Sequence, residues 1–356
     1  MSAPRGTGRE IGPAGDRLTC AADPGFVWPV VAAGPQTGPG ALPVGSPGKV
    51  GVLDLDFRRA RDPRAAGLAG RTVLADRFQK SPLQVMRPLY LDPAMPGMPV
   101  VYVMSTGGGI VGGDRLDMDV RLGDRAHALV TTQAANRVHR MDVGYATQNV
   151  TLRLGDGAVC EWLPDLLIPY GGSRFQQRLR AELPEDATLI AADVLTAGRV
   201  ARGENWDVDA YVSAVEINRS GGVPLVVDTT RVTRDEAGHP LVTGDADAIG
   251  TLFVVAPGPA EELAAVMREA ADGLAGAVAG AAVRCGVSTL PDGCGAWLRV
   301  LGRGAGERGG RRARGVVRGP RAPARRAGAR PAEELTGRGT ASASRPRASR
   351  ARRTAA

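Results

Sequence analysis

The chain has 356 residues, 43% of them hydrophobic, which suits one large β-rich domain or two ordinary ones. No apolar stretch approaches the ~18 residues of a membrane span, and the N-terminus lacks the apolar centre of a secretory signal, so a cytoplasmic protein without a membrane partner is expected. The net charge of +8 is local: from Gly302 onward there are 16 Arg and 3 Glu, so the body before it carries −5, which argues against a nucleic-acid partner for that body.

Residues 1–47 are rich in Gly, Pro and Ala without apolar periodicity. They read as a disordered extension, or as a leader translated from an upstream start codon. Order is expected from "KVGVLDLDFRR", where Val52, Leu53, Leu55 and Phe57 are apolar. Short segments of period two follow. "LDMDVRL" puts Leu116, Met118, Val120 and Leu122 on one face and Asp117, Asp119 and Arg121 on the other. "NVTLRL" and "DVDAYVSAVEI" alternate likewise. "HALVTT", "ATLIAADVL", "VPLVVDTTRV" and "GTLFVVAP" are β-branched runs between Gly, Pro or Asp punctuation. So many strands with little helix between them predict an all-β or mostly β body. One helix is predicted, in "PGPAEELAAVMREAADGLAGAVAGAAV". Pro259 stands at its first turn, Glu261 and Glu262 near its positive end, and Leu263, Val266, Met267, Ala270 and Leu274 form its apolar stripe.

The stretch "VMSTGGGIVGGDRLDMDVRL" satisfies G-x-G-x-x-G at Gly107, Gly109 and Gly112. A dinucleotide site needs a helix after the glycines to aim its N-terminus at the pyrophosphate, and the period-two "DRLDMDVRL" is a strand. A nucleotide-binding enzyme using Gly107–Gly112 is therefore the lesser reading. A P-loop alignment fails too, because Asp114 stands where the phosphate-binding lysine belongs. The glycines are left as plain turn chemistry, or as a place where another backbone or a partner chain approaches closely. The four cysteines (Cys20, Cys160, Cys285, Cys294) form no C-x-x-C pair and are expected as free thiols. The three histidines show no zinc spacing, and no serine sits in G-x-S-x-G.

Five blocks, "FQKSPLQVMRPLYLD", "STGGGIVGGDRLDMDV", "TTQAANRVHRM", "EWLPDLLIPYGGSRFQQRLRAEL" and "VLTAGRVARGENW", occur in the order and spacing of the urease accessory protein D family (UreD/UreH), which the chain resembles from about Gly48 to about Leu301. It departs where family members often have Thr-Lys and it has Asn136 and Arg137, and where they have Tyr and it has His139. The resemblance implies an elongated, β-helix-like scaffold of stacked strands with one or two helices in its C-terminal half. It implies a non-enzymatic role: a chaperone for nickel insertion that bridges urease apoprotein to a helical accessory subunit of the F type and a nickel-carrying GTPase of the G type. A homodimer within that complex is compatible with it.

Such a conduit holds no permanent cofactor, and nickel is in transit. Carboxylates release nickel more readily than imidazole or thiolate. Asp114, Glu161 and Asp165 are the expected transient ligands, while Asp117 and Asp119 read as a solvated strand face. Gly107, Gly108, Gly109, Gly112, Gly113, Arg137 and Arg174 are the expected partner-binding residues. The composition changes sharply after "GAWLRVLGR". Residues 302–356 read either as a basic tail able to bind nucleic acid or, preferably, as the product of a frameshift near Gly302–Gly310. Reading Gly315–Leu335 one nucleotide further on permits a helix-like apolar run ending on a stop codon.

Overall fold

The computed structural model describes residues 27–33, 48–60, 70–277 and 282–303. Most of the expected N-terminal extension and nearly all of the basic tail lie outside the described residues. So does Cys20.

The chain alternates between two sheets. The first sheet begins with β1 (Val50–Arg59) and β2 (Thr72–Lys80). The chain then crosses to the second for β3 (Leu83–Val85) and β4 (Val100–Ser105). Later circuits place strands in each sheet in turn: β5 (Arg115–Leu122), then β6 (His127–Thr132) and β7 (Asn136–Val138); β8 (Ala146–Leu154), then β9 (Val159–Trp162) and β10 (Leu167–Pro169); β11 (Arg174–Leu183), then β12 (Thr188–Thr196). The hairpin of β13 (Ala210–Arg219) and β14 (Pro224–Thr233) completes the first sheet. The second ends with β15 (Ala248–Val255), a helix, β16 (Ala282–Thr289) and β17 (Gly295–Arg303).

The sheet orders are β14-β13-β11-β8-β5-β1-β2 and β16-β17-β15-β12-β9-β6-β4-β3. Strands one circuit apart pair in parallel: β1, β5, β8, β11 and β13 in one sheet, β4, β6, β9 and β12 in the other. Parallel neighbours need a crossover, and here the crossover is a strand of the facing sheet. The flanks are closed by antiparallel strands. This is the stacked-strand architecture expected.

The main core lies between the sheets. Strict alternation in β5 buries Leu116, Met118, Val120 and Leu122. Leu53, Leu55 and Phe57 of β1, Leu152 of β8 and Trp162 of β9 join them. The other face of that strand is half-buried and paired: Asn149 Nδ2 donates to Asp117 at 2.9 Å, and Arg153 pairs with Asp119. A second core covers the outer face of the second sheet, where Leu252, Val254, Leu298 and Val300 meet the helix. β15 is thus buried on both faces and reads as an unbroken apolar run.

Two α-helices are described. α1 (Pro29–Ala32) is a single turn within the segment expected to lack structure. Its Val31 packs on Ala210 and Val212, and the Trp28 backbone N–H donates to Gln176 Oε1 at 2.8 Å. α2 (Ala260–Ala277) is the predicted helix, with two differences. Its buried stripe is Leu263, Ala264, Met267 and Ala271, so Val266 faces outward, 38% exposed. Ala264 and Ala271 are buried in place of Val266 and Ala270, and the side chain of Leu274 lies outside the described residues. The helix also ends earlier than predicted: Ala282 and Val283 belong to β16, where edge pairing with Gly302 and Arg303 outcompetes a glycine-weakened helix. Cys160, Cys285 and Cys294 are free thiols, and burial pushes each of them up.

The turns at one edge repeat a five-residue pattern that the sequence reading missed. Leu122-Gly123-Asp124-Arg125-Ala126, Leu154-Gly155-Asp156-Gly157-Ala158 and Leu183-Pro184-Glu185-Asp186-Ala187 each bury the leucine and leave the alanine with 0% exposure. In each, the alanine N–H donates back to the residue at the second position, at 3.0–3.3 Å.

Candidate functional site

The opposite edge collects the family-like blocks. The glycine-rich loop joins β4 to β5, strand to strand, so no helix points at it. Ile110 pairs in parallel with Val138, Val138 with Pro169, and Leu167 with Leu195. Four blocks that lie far apart in sequence therefore stack on successive circuits. The fifth joins them: Thr106 N–H donates to Pro82 O at 2.9 Å, and the Ser81 and Thr106 hydroxyls are 3.1 Å apart.

The glycines answer the question their number raises. A Cβ at Gly109 (φ +150°) would lie 2.6 Å from His139 Nε2 and 2.8 Å from Arg137 O. One at Gly113 (φ +87°) would lie 2.9 Å from Gly48 N, and one at Gly112 2.9 Å from Val143 O. These positions let neighbouring backbone approach. A Cβ at Gly107 would lie 3.0 Å from Lys49 Nζ. Gly108 differs, because nothing lies within 4 Å of where its Cβ would be. Gly108→Ala is therefore expected to leave the melting temperature within about 1 °C of the parent, since surface substitutions usually stay within ±0.5 kcal/mol. Differential scanning fluorimetry measures this directly.

Asp114 ends the loop. It is 1% exposed; its Oδ1 accepts from Lys49 N–H at 2.8 Å and its Oδ2 from Val111 N–H at 3.0 Å. Arg115 Nη1 donates to Asp114 O and Tyr145 O, both at 3.0 Å, and its guanidinium lies 4.5 Å from the Tyr145 ring centroid. Together these contacts fix the loop to β1 and to the next circuit.

A ladder of rings and cations continues along the edge. His139 Nε2 lies 3.3 Å from Gly108 O, a geometry in which the ring N–H donates. The His139 and Tyr170 rings meet edge to face at 5.0 Å, and Arg199 stacks on Tyr170 at 3.9 Å. Arg199 also binds Glu204 through Nε at 2.8 Å, and that bond holds the Glu204 carboxyl below the usual carboxylate range. Arg137 is exposed beside this ladder, whereas Arg174 is only 16% exposed and faces Asp209 at 3.6 Å. Arg178 and Arg180 of the same strand pair with Glu216 of β13.

The other two candidate carboxylates lie elsewhere. Glu161 is fully buried on the outer face of β9, where His127 Nε2 lies 3.0 Å from its Oε1. Asp165 precedes β10; its N–H donates to Thr132 Oγ1 at 2.8 Å and its Oδ1 accepts from Leu166 N–H at 2.8 Å. Among the described residues, no three His, Cys, Asp or Glu side chains converge on one point, so Asp114, Glu161 and Asp165 do not form a single group.

Asp165 lines two spaces. One is an outer groove of about 480 Å³ that includes Leu91, Tyr102 and Leu129. The other is a small cavity of about 40 Å³ between the sheets. That cavity holds a polar cluster the sequence reading missed. Asp193 Oδ2 accepts from Gln177 Nε2 at 2.8 Å, Ser213 Oγ at 3.0 Å and Tyr211 OH at 3.1 Å. Burial pushes the Asp193 carboxyl up, and the three hydrogen bonds and Arg299 oppose that push.

Known proteins share this sequence pattern. The family model described as UreD urease accessory protein matches residues 49–324. The protein named Urease accessory protein UreD 2 from Streptomyces griseus is 44% identical over 268 residues, covering 74% of this chain and 86% of its own. Urease accessory protein UreD 2 of Methylorubrum extorquens is 38% identical over 274 residues, 75% of this chain and 83% of its own. Urease accessory protein UreD of Cenarchaeum symbiosum is 35% identical over 272 residues, 74% and 88%. Matches of this extent mean that the chain belongs to the UreD urease accessory protein family.

Proposed function

We propose that this protein is a non-enzymatic cytoplasmic scaffold for nickel insertion into urease. In this reading it bridges urease apoprotein to a helical F-type accessory subunit and a G-type GTPase, and nickel is cargo. One observation carries it above the rest: five dispersed sequence blocks converge on a single edge whose glycine loop is anchored from behind by Asp114 and open in front at Gly108. A rigid loop with a bare outer face suits docking against another protein. A bulky Gly108→Trp variant is expected to melt like the parent yet lose co-purification with urease apoprotein, while Gly108→Ala retains it. Equal retention by both variants would move the docking face elsewhere.

Passage of nickel fits the carboxylates at the cavity. Asp165 and Asp193 both line it and offer oxygen ligands, which hold nickel more loosely than imidazole or thiolate. Asp193 supplies a prediction with a definite sign. A carboxyl raised in the folded state binds its proton more tightly there than in the unfolded chain. The stability linked to that proton is present below the unfolded pKa and is lost as pH rises through the folded value. Asp193→Asn is therefore expected to gain about 0.5–2 kcal/mol at neutral pH and to lose this part of the pH dependence in urea titrations. On the proposed reading it activates urease less well.

A further inference from the structure

The turn edge carries a second surface. An open groove of about 920 Å³ lies where β1, β5 and β8 end, away from the glycine loop. Arg58, Arg59, Arg121, Arg125 and Arg153 line it. Two carboxylates answer three of these arginines. Arg58 pairs with Asp56 at 2.8 Å, and Arg153 and Arg121 share Asp119, the latter at 3.7 Å. The buried Arg121 Nε has no hydrogen-bond acceptor, and Arg59 and Arg125 make no ion pair among the described residues.

Arg125 occupies a strained backbone. Its φ is +54°, and the equivalent position in the next turn is Gly157 at φ +60°. Glycine adopts this conformation without penalty and arginine does not. The Arg125 side chain runs over Gly157, whose Cβ position lies 3.5 Å from Arg125 Cγ. A cation is thus held across the groove at a position where the backbone favours glycine.

Asp124 and Asp156 stand between the arginines, and Asp124 Oδ1 accepts from Asp156 N–H at 3.2 Å. Guanidinium forks match carboxylates in bidentate fashion. The acidic remainder of the body directs an anion to this face.

We propose that this groove docks an acidic peptide segment of a protein partner, with Arg59 and Arg125 as its unpaired cations. The proposal is independent of the glycine edge. It is tested on the full chain with a fluorescein-labelled octaglutamate peptide at low salt, comparing the parent with an Arg59→Gln, Arg125→Gly double variant. Two partly exposed ion pairs predict binding about tenfold weaker in the variant, with a melting temperature no lower, because glycine relaxes the turn. The arginine-rich C-terminal segment is common to both proteins, so both titrations hold the same constant excess of unlabelled polyaspartate as competitor for that segment, and the difference between the two isotherms is assigned to the groove. Equal affinity of the two proteins overturns the proposal. So does a labelled single-stranded DNA octamer that loses as much affinity in the variant as the peptide does.

Discussion

Asp114→Ala is expected to lower unfolding stability by about 2–5 kcal/mol. Asp114 is almost fully buried, and each of its two oxygens accepts a backbone N–H. Removing the carboxylate leaves Lys49 N–H and Val111 N–H without acceptors, at about 1–3 kcal/mol each. Against a usual net stability of about 5–15 kcal/mol, that is a large fraction. Asn recovers little of the loss, because its amide offers one acceptor and turns an NH₂ toward the second N–H. Urea denaturation of the three proteins measures the order parent, Asn, Ala. Parent-like stability of the alanine variant would show that the loop is not anchored through this side chain. Because the anchor sits behind the docking face, co-purification with urease apoprotein is expected to fall in the same order.

Trp206→Ala is expected to cost about 3–5 kcal/mol, the usual range for a buried tryptophan. Trp206 is 3% exposed in the core between the sheets, and its Nε1–H donates to Ala246 O at 2.8 Å. Its backbone sits at φ +60° and its N–H donates to Ala197 O at 2.7 Å, so the chain turns sharply to insert the ring. Alanine keeps the strained φ and loses both the packing and the hydrogen bond. Trp206→Phe keeps most of the volume and loses only the donor, at about 1–3 kcal/mol. A Phe variant as unstable as Ala would mean that the bond to Ala246, rather than the packing, holds this corner.

The legible parts of the fold were those with one covered face. β5 alternates because its inner side meets the core and its outer side meets partly exposed partners. β15 carries no such period because both its faces meet a core. The polar cluster was legible in principle: Gln177 falls between Phe175 and Leu179, Asp193 between Ala191 and Leu195, and Ser213 between Tyr211 and Val215, each at an inward phase of its strand. A polar residue at a core phase in three strands is the available signal. The partnership of Glu161 with His127 was not legible, because it depends on the register between β6 and β9. The convergence of the blocks on one edge was hidden for the same reason. Sequence order says nothing of which circuits stack until the repeat of the leucine–alanine turns is noticed.

That repeat makes the molecule a ruler. Each buried leucine and alanine closes a unit that rests on the one before it, and strands lie about 4.7–4.9 Å apart. Whatever binds at the first circuit and whatever binds at the last are held at a span graded in such increments. Gaining or losing one whole unit would change that reach by a single step and leave both ends intact.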